Sequence, residues 1–208
     1  MKWLKLTLLL TVLSLSCYAQ NFKGSAYLGA TFSHMRGDYM VGYNKPGANL
    51  GFTVAYPFHD NFDISMSISF SQKGSRKTYD KYGNPQGGWN TWHLMRANYI
   101  EVPFLINYSI NFMDKDFVLL GGLSIARLMN ERRESTQFSG VESEKILRTW
   151  EYSFQLGAAY VINENLNFFI RHSTSIFSVA QGDFSFFFSP YNVGLINLAA
   201  TIGIERKF

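Results

Sequence analysis

The sequence predicts an all-β protein, an eight-stranded antiparallel transmembrane β-barrel with short periplasmic turns and long extracellular loops. Three observations carry this prediction. Large apolar residues alternate with small polar residues through eight segments. Aromatic residues make up 17% of the 208 residues and charged residues only 16%, against roughly 25% charged residues in soluble domains. Short and long connections alternate between the segments, as they do in outer-membrane barrels.

The hydrophobic period from residue 22 onward is two, which indicates β-strands rather than helices. The alternation is clearest in segment 62–71, where large apolar side chains alternate with serines: Ile64, Met66, Ile68 and Phe70 against Ser65, Ser67, Ser69 and Ser71. The same pattern predicts eight strands, at about 22–34, 49–57, 62–71, 98–109, 117–127, 149–160, 165–176 and 193–208.

The two faces of these strands favour a barrel in lipid over a soluble sandwich. One face carries Phe, Ile, Leu, Trp and Tyr, whereas the other carries mainly Gly, Ser, Thr, Ala and Asn. A sandwich needs its bulky residues inside and tolerates long charged chains outside. A small barrel in lipid needs bulk outside and small polar groups inside, and its closure removes exposed strand edges.

The connections give the predicted orientation. Three are short, around 59–61, 113–116 and 163–165, and four are long, at about 35–48, 72–97, 128–148 and 177–192. Outer-membrane barrels place short turns in the periplasm and long loops outside the cell. An even number of strands then leaves both termini in the periplasm.

The N-terminal segment predicts export. Lys2 and Lys5 precede an apolar run at 6–15, and a small-residue cleavage site follows, which predicts a signal peptide at 1–19 and a barrel domain at 20–208. The run is shorter than the ~20 residues of a spanning helix. In the alternative, Cys17, the single cysteine, is the lipid-modified first residue of a lipoprotein. With cleavage after Ala19, no cysteine remains for a disulfide.

A resemblance supports the same location. The motif Tyr-Ile-Glu-Val-Pro-Phe-Leu-Ile-Asn-Tyr at 99–108, with Gly-Gly at 121–122, resembles the PorT-like outer-membrane β-barrel family of Bacteroidetes. The resemblance implies an outer-membrane location and, for some members, a part in protein secretion. The last strand ends in Phe208 and resembles the signal recognised by the barrel-assembly machinery, which is therefore an expected partner during insertion.

Three charged residues fall on the inward faces by strand parity: Glu101, Glu151 and Arg171. Unpaired charges are unfavourable away from water, so these groups are expected to pair inside the lumen. The main interpretation is a structural ion-pair plug, and the alternative is a gate or proton path. Eight strands leave a lumen that the barrel's own side chains can fill, which argues against an open pore.

Two predicted loops are candidates for binding. The 72–97 loop carries Lys73, Arg76, Lys77 and Lys81, and these cations could contact lipopolysaccharide phosphates or simply be solvated. The 177–192 loop is unusually apolar. It indicates either strands that continue past the membrane or a patch for an envelope protein partner, formed by Phe184, Phe186, Phe187 and Phe188.

The sequence gives little support for a catalytic site, a cofactor site or a surface that binds nucleic acid. His172 and Ser173 are a poor match to a nucleophile and base, because strand parity puts them on opposite faces. No spacing typical of a metal site occurs, and no cofactor is expected. Lys2 and Lys5 account for half of the formal net charge of +4, so no basic surface for nucleic acid is indicated.

Three functional hypotheses remain. The first is a non-enzymatic outer-membrane barrel whose loops bind a partner or lipid, lipopolysaccharide included, or help to maintain the envelope. The second is a subunit of a secretion or surface-assembly machine, as the PorT-like resemblance implies for some relatives. The third is a membrane enzyme acting on lipid A.

Overall fold

A computed structural model describes residues 21–38, 42–79, 85–86, 92–113, 115–135, 146–181 and 194–208. The predicted signal peptide at 1–19 lies outside the described residues. Among the described residues, no helix has the length and apolar character needed to cross a membrane.

The described strands form one large sheet and one small sheet. In chain order they are β1 Lys23–Arg36, β2 Lys45–His59, β3 Phe62–Arg76, β4 Thr78–Tyr79, β5 Pro85–Gln86, β6 Trp92–Phe112, β7 Lys115–Ser135, β8 Trp150–Asn163, β9 Leu166–Ser175 and β10 Ile196–Lys207. Eight of them close into an antiparallel barrel in the spatial order β1-β10-β9-β8-β7-β6-β3-β2, while β4 and β5 form a separate two-stranded sheet. The closed eight-stranded barrel confirms the predicted fold class.

Most strands are longer than the sequence pattern predicted, mainly at the long-loop end. β6 and β7 have 21 residues each, so residues 92–97 and 128–135 belong to strands rather than to loops. Likewise 72–76 belongs to β3 and 45–48 to β2. The apolar alternation ends where the outer face leaves the lipid, but the hydrogen-bonded ladder continues into the surrounding water.

The faces follow the prediction, as β3 illustrates. Ile64, Met66 and Ile68 are 48%, 49% and 58% exposed on the outside of the barrel. The alternating serines from Ser65 to Ser71 are at most 4% exposed inside it. Small hydroxyls fit a narrow lumen and bond to one another there, as Thr53 and Ser67 do at 2.8 Å. The bulky apolar side chains therefore lie on the lipid side of the wall, where acyl chains surround them.

Pro103 does not produce the bulge that its place in mid-strand indicates. The β3–β6 ladder has no pairs at Val102 and Pro103, yet the register on both sides of the gap is the same. On the other side, Pro103 stays opposite Ser124. The proline removes a ladder donor without bending the strand out of register. The irregularities of β6 lie instead near its long-loop end, where the pairing with β7 shifts at Asn98/Tyr99.

Candidate functional site: a closed lumen and an outward arginine face

The centre of the lumen holds one buried cation between two buried carboxylates. Lys73 Nζ lies 2.9 Å from Glu151 Oε1 and 3.4 Å from Glu101 Oε1, and all three side chains are at most 3% exposed. β3, β6 and β8 supply these residues, so the contact spans the barrel rather than joining neighbouring strands alone. The two glutamates lie inside the barrel, and the cation between them is Lys73, which the sequence pattern places in a loop, rather than Arg171.

Four further side chains donate hydrogen bonds to the two carboxylates. Glu101 Oε1 accepts hydrogen bonds from Ser124 Oγ at 2.7 Å and Gln155 Nε2 at 2.8 Å. Glu151 accepts from Ser153 Oγ at 2.8 Å and Asn197 Nδ2 at 2.6 Å. Buried ions are tolerated when such bonds replace their hydration. We call this arrangement of Lys73, the two glutamates and their four donors the central charge cluster.

The position of Lys73 corrects one prediction. The sequence analysis placed it in a basic loop facing lipopolysaccharide, but it is 1% exposed inside β3. Its odd number puts it on the same inward face as Ser69 and Ser71 once the strand continues to Arg76. A side chain buried in the lumen does not contact lipopolysaccharide.

Arg171 does not form the ion pair that its inward position predicts. It lies within the barrel next to the central charge cluster, but forms no ion pair in the part of the chain that the structure describes. Its guanidinium stacks instead over Tyr27 and Phe169, 5.2 Å from each ring centroid. Lys73 has therefore taken the place that Arg171 was expected to occupy between the two glutamates.

Apolar residues close the lumen at the long-loop end. Met35, Met95 and Tyr99 project from strands and pack with Leu147 and Val179, which come from the bases of two long loops and are 1% and 2% exposed. An isolated bridge between Leu147 and Ala180 joins these two loop bases. We call Leu147, Val179 and their apolar neighbours the cap.

A carboxylate on β7 holds the cap in place. Glu131 accepts hydrogen bonds from the backbone N–H groups of Ile146 at 2.9 Å and Leu147 at 3.0 Å. Arg133 Nε lies 3.6 Å from the same carboxylate, and both side chains are at most 5% exposed. Two charge-assisted bonds to backbone fix the loop base over the lumen.

The short-turn end of the lumen is open. A cavity of about 170 Å³ lies there. Charged and apolar side chains such as Glu205 and Leu120 line it together with small polar ones: Ser25, Thr53, Ser65, Ser67, Asn107 and Asn167. Towards the central charge cluster it narrows to a space of only about 10 Å³ beside Arg171 and Glu101. The barrel interior is therefore a blind vestibule, open at one end and closed at the other.

Outside the barrel, four exposed arginines lie together at the long-loop end of β3, β6 and β7: Arg76, Arg96, Arg127 and Arg132. Arg96 and Arg132 are direct partners in the β6–β7 register. The Arg127 guanidinium lies 5.9 Å from the ring centroid of Trp150 on β8. We call these four residues the arginine face.

The arginine face was missed from the sequence, apart from Arg76. Arg96 and Arg132 were assigned to loops, where strand parity has no meaning. The missed signal is that Arg96 keeps the same parity as Asn98 and Ile100, which continues the outward face of β6.

The remaining predicted residues are distributed as follows. Arg76 is exposed and Lys77 is half-buried, whereas Lys81 lies outside the described residues. Phe184, Phe186, Phe187 and Phe188 also lie outside them. The predicted partner patch in the 177–192 loop therefore stays a prediction.

His172 and Ser173 lie on opposite faces of β9, as strand parity predicted. Ser173 is buried in the lumen and His172 is exposed outside. His172 Nε2 is hydrogen-bonded at 2.9 Å to the hydroxyl of Tyr43, which comes from the β1–β2 loop. The pair cannot act as base and nucleophile on one substrate. Within the described ranges, no group of three His, Cys, Asp or Glu side chains could hold a metal ion.

Comparisons with known proteins agree with this architecture. The family described as outer membrane protein beta-barrel domain matches residues 18–181. The structure of Ail, the attachment invasion locus protein of Yersinia pestis, is 15% identical with a TM-score of 0.52, covering 91% of this chain and 100% of that one. Neisserial surface protein A is 10% identical with a TM-score of 0.50, covering 91% and 98%. At these identities the likeness concerns the fold alone. No curated protein matches the sequence.

Proposed function

The chain belongs to the outer membrane protein beta-barrel domain family, and on that premise we propose that it is a non-enzymatic envelope protein that acts through its outer surface and loops. In this proposal residues 1–19 are removed on export and the barrel binds lipid or an envelope partner at the cell surface. Its lumen serves stability rather than transport.

The closed lumen is the observation that carries the proposal. A solute entering from the short-turn end meets the central charge cluster, and beyond it the cap with Leu147 at 1% exposure. Moving the cluster aside would leave buried charges without partners, which is strongly unfavourable. What remains available for interaction is the outside of the barrel and its long loops.

Conductance tests the proposal directly. The purified full chain, inserted into planar bilayers, is expected to give no ion conductance, while a large porin measured under the same conditions conducts. Steady conductance that changes when Glu101→Gln or Arg171→Gln is introduced would refute the closed lumen and favour a small channel.

The enzyme hypothesis is tested separately. If the chain acted on lipid A through His172 or Ser173, then His172→Ala or Ser173→Ala would change the acyl pattern of lipid A in cells that express it. We expect no change in either variant, because the two side chains face opposite sides of the barrel wall.

A role in secretion or surface assembly is the second candidate, favoured by the PorT-like motif at 99–108. It predicts that the tagged full chain, solubilised from outer membranes, carries stable envelope proteins detectable by mass spectrometry. A barrel that carries only lipopolysaccharide would support the self-contained function instead.

A further inference from the structure

We propose that the arginine face binds the phosphate groups of lipid A, the phosphorylated glycolipid of the outer leaflet. The inference rests on the proposed function, because it names the lipid partner of the outer surface. The residues proposed to bind phosphate are therefore those of the arginine face, which the folded barrel brings together, and not the cations of the 72–97 segment as a group.

Two like charges lie directly opposite each other in the arginine face. Arg96 and Arg132 are cross-strand partners, and such side chains have Cβ atoms about 5 Å apart. Like charges in that position destabilise a sheet unless an anion lies between them. Among the described outward-facing residues near them, the acidic one is Glu134, whose Oε1 lies 3.2 Å from Arg132 Nε. The four arginines of the face outnumber it, so this surface has an excess of positive charge.

The arginine face lies at the level where the apolar alternation of the outer surface ends. The continuous apolar alternation of the outward face ends near Ile100 on β6 and Ile125 on β7, and of the exposed large apolar side chains Met129 lies beyond it on β7. Arg127 lies opposite Ile100 on one side and Trp150 on the other. Aromatic girdles mark the membrane interface in outer-membrane barrels. The arginine face therefore begins where acyl chains give way to headgroups, at the end that carries the long loops.

Arginine side chains suit phosphate groups chemically. The planar guanidinium fork matches phosphate oxygens and binds them with two parallel hydrogen bonds. Arg127 pairs with Ile100 on β6, and Arg96 lies four residues from Ile100 along the same strand. Four residues of a strand span about 13 Å, which is the distance along the strand between Arg127 and the Arg96–Arg132 pair. Lipid A carries two phosphates at opposite ends of a disaccharide, so one molecule could engage both positions. A glycerophospholipid with one phosphate could engage only one.

The rest of this end of the barrel is different. On β1 and β9, on the far side of the barrel, the outward positions include His34, His172 and Thr174, linked through Tyr43. Arg36 is the exposed arginine there. The concentration of cations on β3, β6 and β7 is therefore local, as a binding surface requires.

The experiment measures lipid binding to the purified full chain in detergent micelles by native mass spectrometry. The variant is Arg96→Gln with Arg132→Gln, and the probes are bis-phosphorylated lipid A, dephosphorylated lipid A and phosphatidylglycerol. We expect the double variant to weaken binding of bis-phosphorylated lipid A about tenfold or more, and the unaltered protein to prefer it over both other lipids.

Two variants serve as matched controls. Arg36→Gln removes the same charge at the same end on the other side of the barrel, and Arg206→Gln removes it near the short-turn end. Both should keep the affinity within about twofold. Without lipid, the double variant should be at least as stable as the unaltered protein, because it removes a repulsion; a structural role for the arginines would make it less stable.

The outcomes separate this inference from the proposed function. Equal binding by the double variant, or phosphatidylglycerol bound as tightly as lipid A, would overturn the lipid A site. A barrel that does not conduct would still support a surface function in that case. Conductance together with arginine-dependent binding of lipid A would refute the closed lumen and support the lipid A site.

Discussion

The two ends of the barrel interior are built differently although the same eight strands form both. At the long-loop end, apolar side chains such as Leu147 and Val179 pack at 1% and 2% exposure above a bonded charge cluster. At the short-turn end, serines and asparagines line a cavity of about 170 Å³. The closed half depends on Lys73, Glu101 and Glu151, which meet across the lumen, whereas the side chains of the open half leave a cavity between them.

The difference shows what closes a small barrel. Strand number sets the diameter, and eight strands leave a lumen that side chains can just fill. Whether it is filled at a given level depends on which side chains meet across the lumen there. Lys73, Glu101 and Glu151 reach the axis, but Ser65 and Ser67 cannot. Closure is therefore a local property of a few layers.

The largest expected effect is on the central charge cluster. Lys73→Met leaves Glu101 and Glu151 buried without their ion-pair partner, so we expect a loss of about 3–5 kcal/mol in the free energy of unfolding. Urea titration of the refolded barrel in detergent measures it. Lys23→Met removes a charge at the exposed rim and should change stability by less than about 0.5 kcal/mol.

Combining Lys73→Met with Glu101→Gln and Glu151→Gln should recover part of that loss, since it removes the unpaired charges as well. If the triple variant were less stable than Lys73→Met alone, the charge balance would not be the source of the effect.

The cap should matter next. Leu147→Ala removes a fully buried side chain, and we expect a loss of about 2–3 kcal/mol, at the lower end for such truncations because a loop base can partly collapse into the space. Thermal unfolding in detergent measures the loss. Met129→Ala, on a side chain that is 57% exposed, is the matched control and should have little effect.

The clamp on the cap should have a smaller, local effect. Glu131→Gln weakens the hydrogen bonds to the N–H groups of Ile146 and Leu147, by about 1–2 kcal/mol in total. Hydrogen exchange of those two amides should accelerate, while exchange in the centre of β8 stays unchanged. Glu134→Gln, which removes the charge that pairs with Arg132 at the exposed surface, should leave both amides as they are. Uniform acceleration throughout the barrel would contradict a local clamp.

The smallest effect on stability belongs to a test of access. Ser67→Cys places a thiol in the vestibule and Ser153→Cys places one in the central charge cluster. A charged thiol reagent added from the short-turn side should label residue 67 at least about tenfold faster than residue 153, because the latter needs local opening. Equal rates would mean that the closed half is as accessible as the open half.

The alternating pattern of the sequence predicts the strands well and the loops poorly. All eight strands and the outward faces follow from alternation, because lipid on one side and a narrow lumen on the other impose opposite residue sizes. Lys73, Arg96 and Arg132 were misplaced in loops. Beyond the lipid the outer face no longer has to be apolar, so the signal that marks a strand disappears while its backbone pairing continues.

The alternating pattern also does not predict which cation pairs with the two buried glutamates. Parity put Glu101, Glu151 and Arg171 inside, which is where they lie. Parity holds no information about which inward residues meet across the lumen. The tilt and register of β3, β6 and β8 bring Lys73 between the glutamates and leave Arg171 stacked on Tyr27.

The sequence by itself determined the class of protein, the number of strands and the side of the wall on which each residue lies, since these depend on neighbours along one strand. Only the tertiary structure decided which charges pair, that the long-loop end is closed, and that the arginines form one face. Those features depend on contacts between segments far apart in the chain, which the alternation along a single strand does not specify.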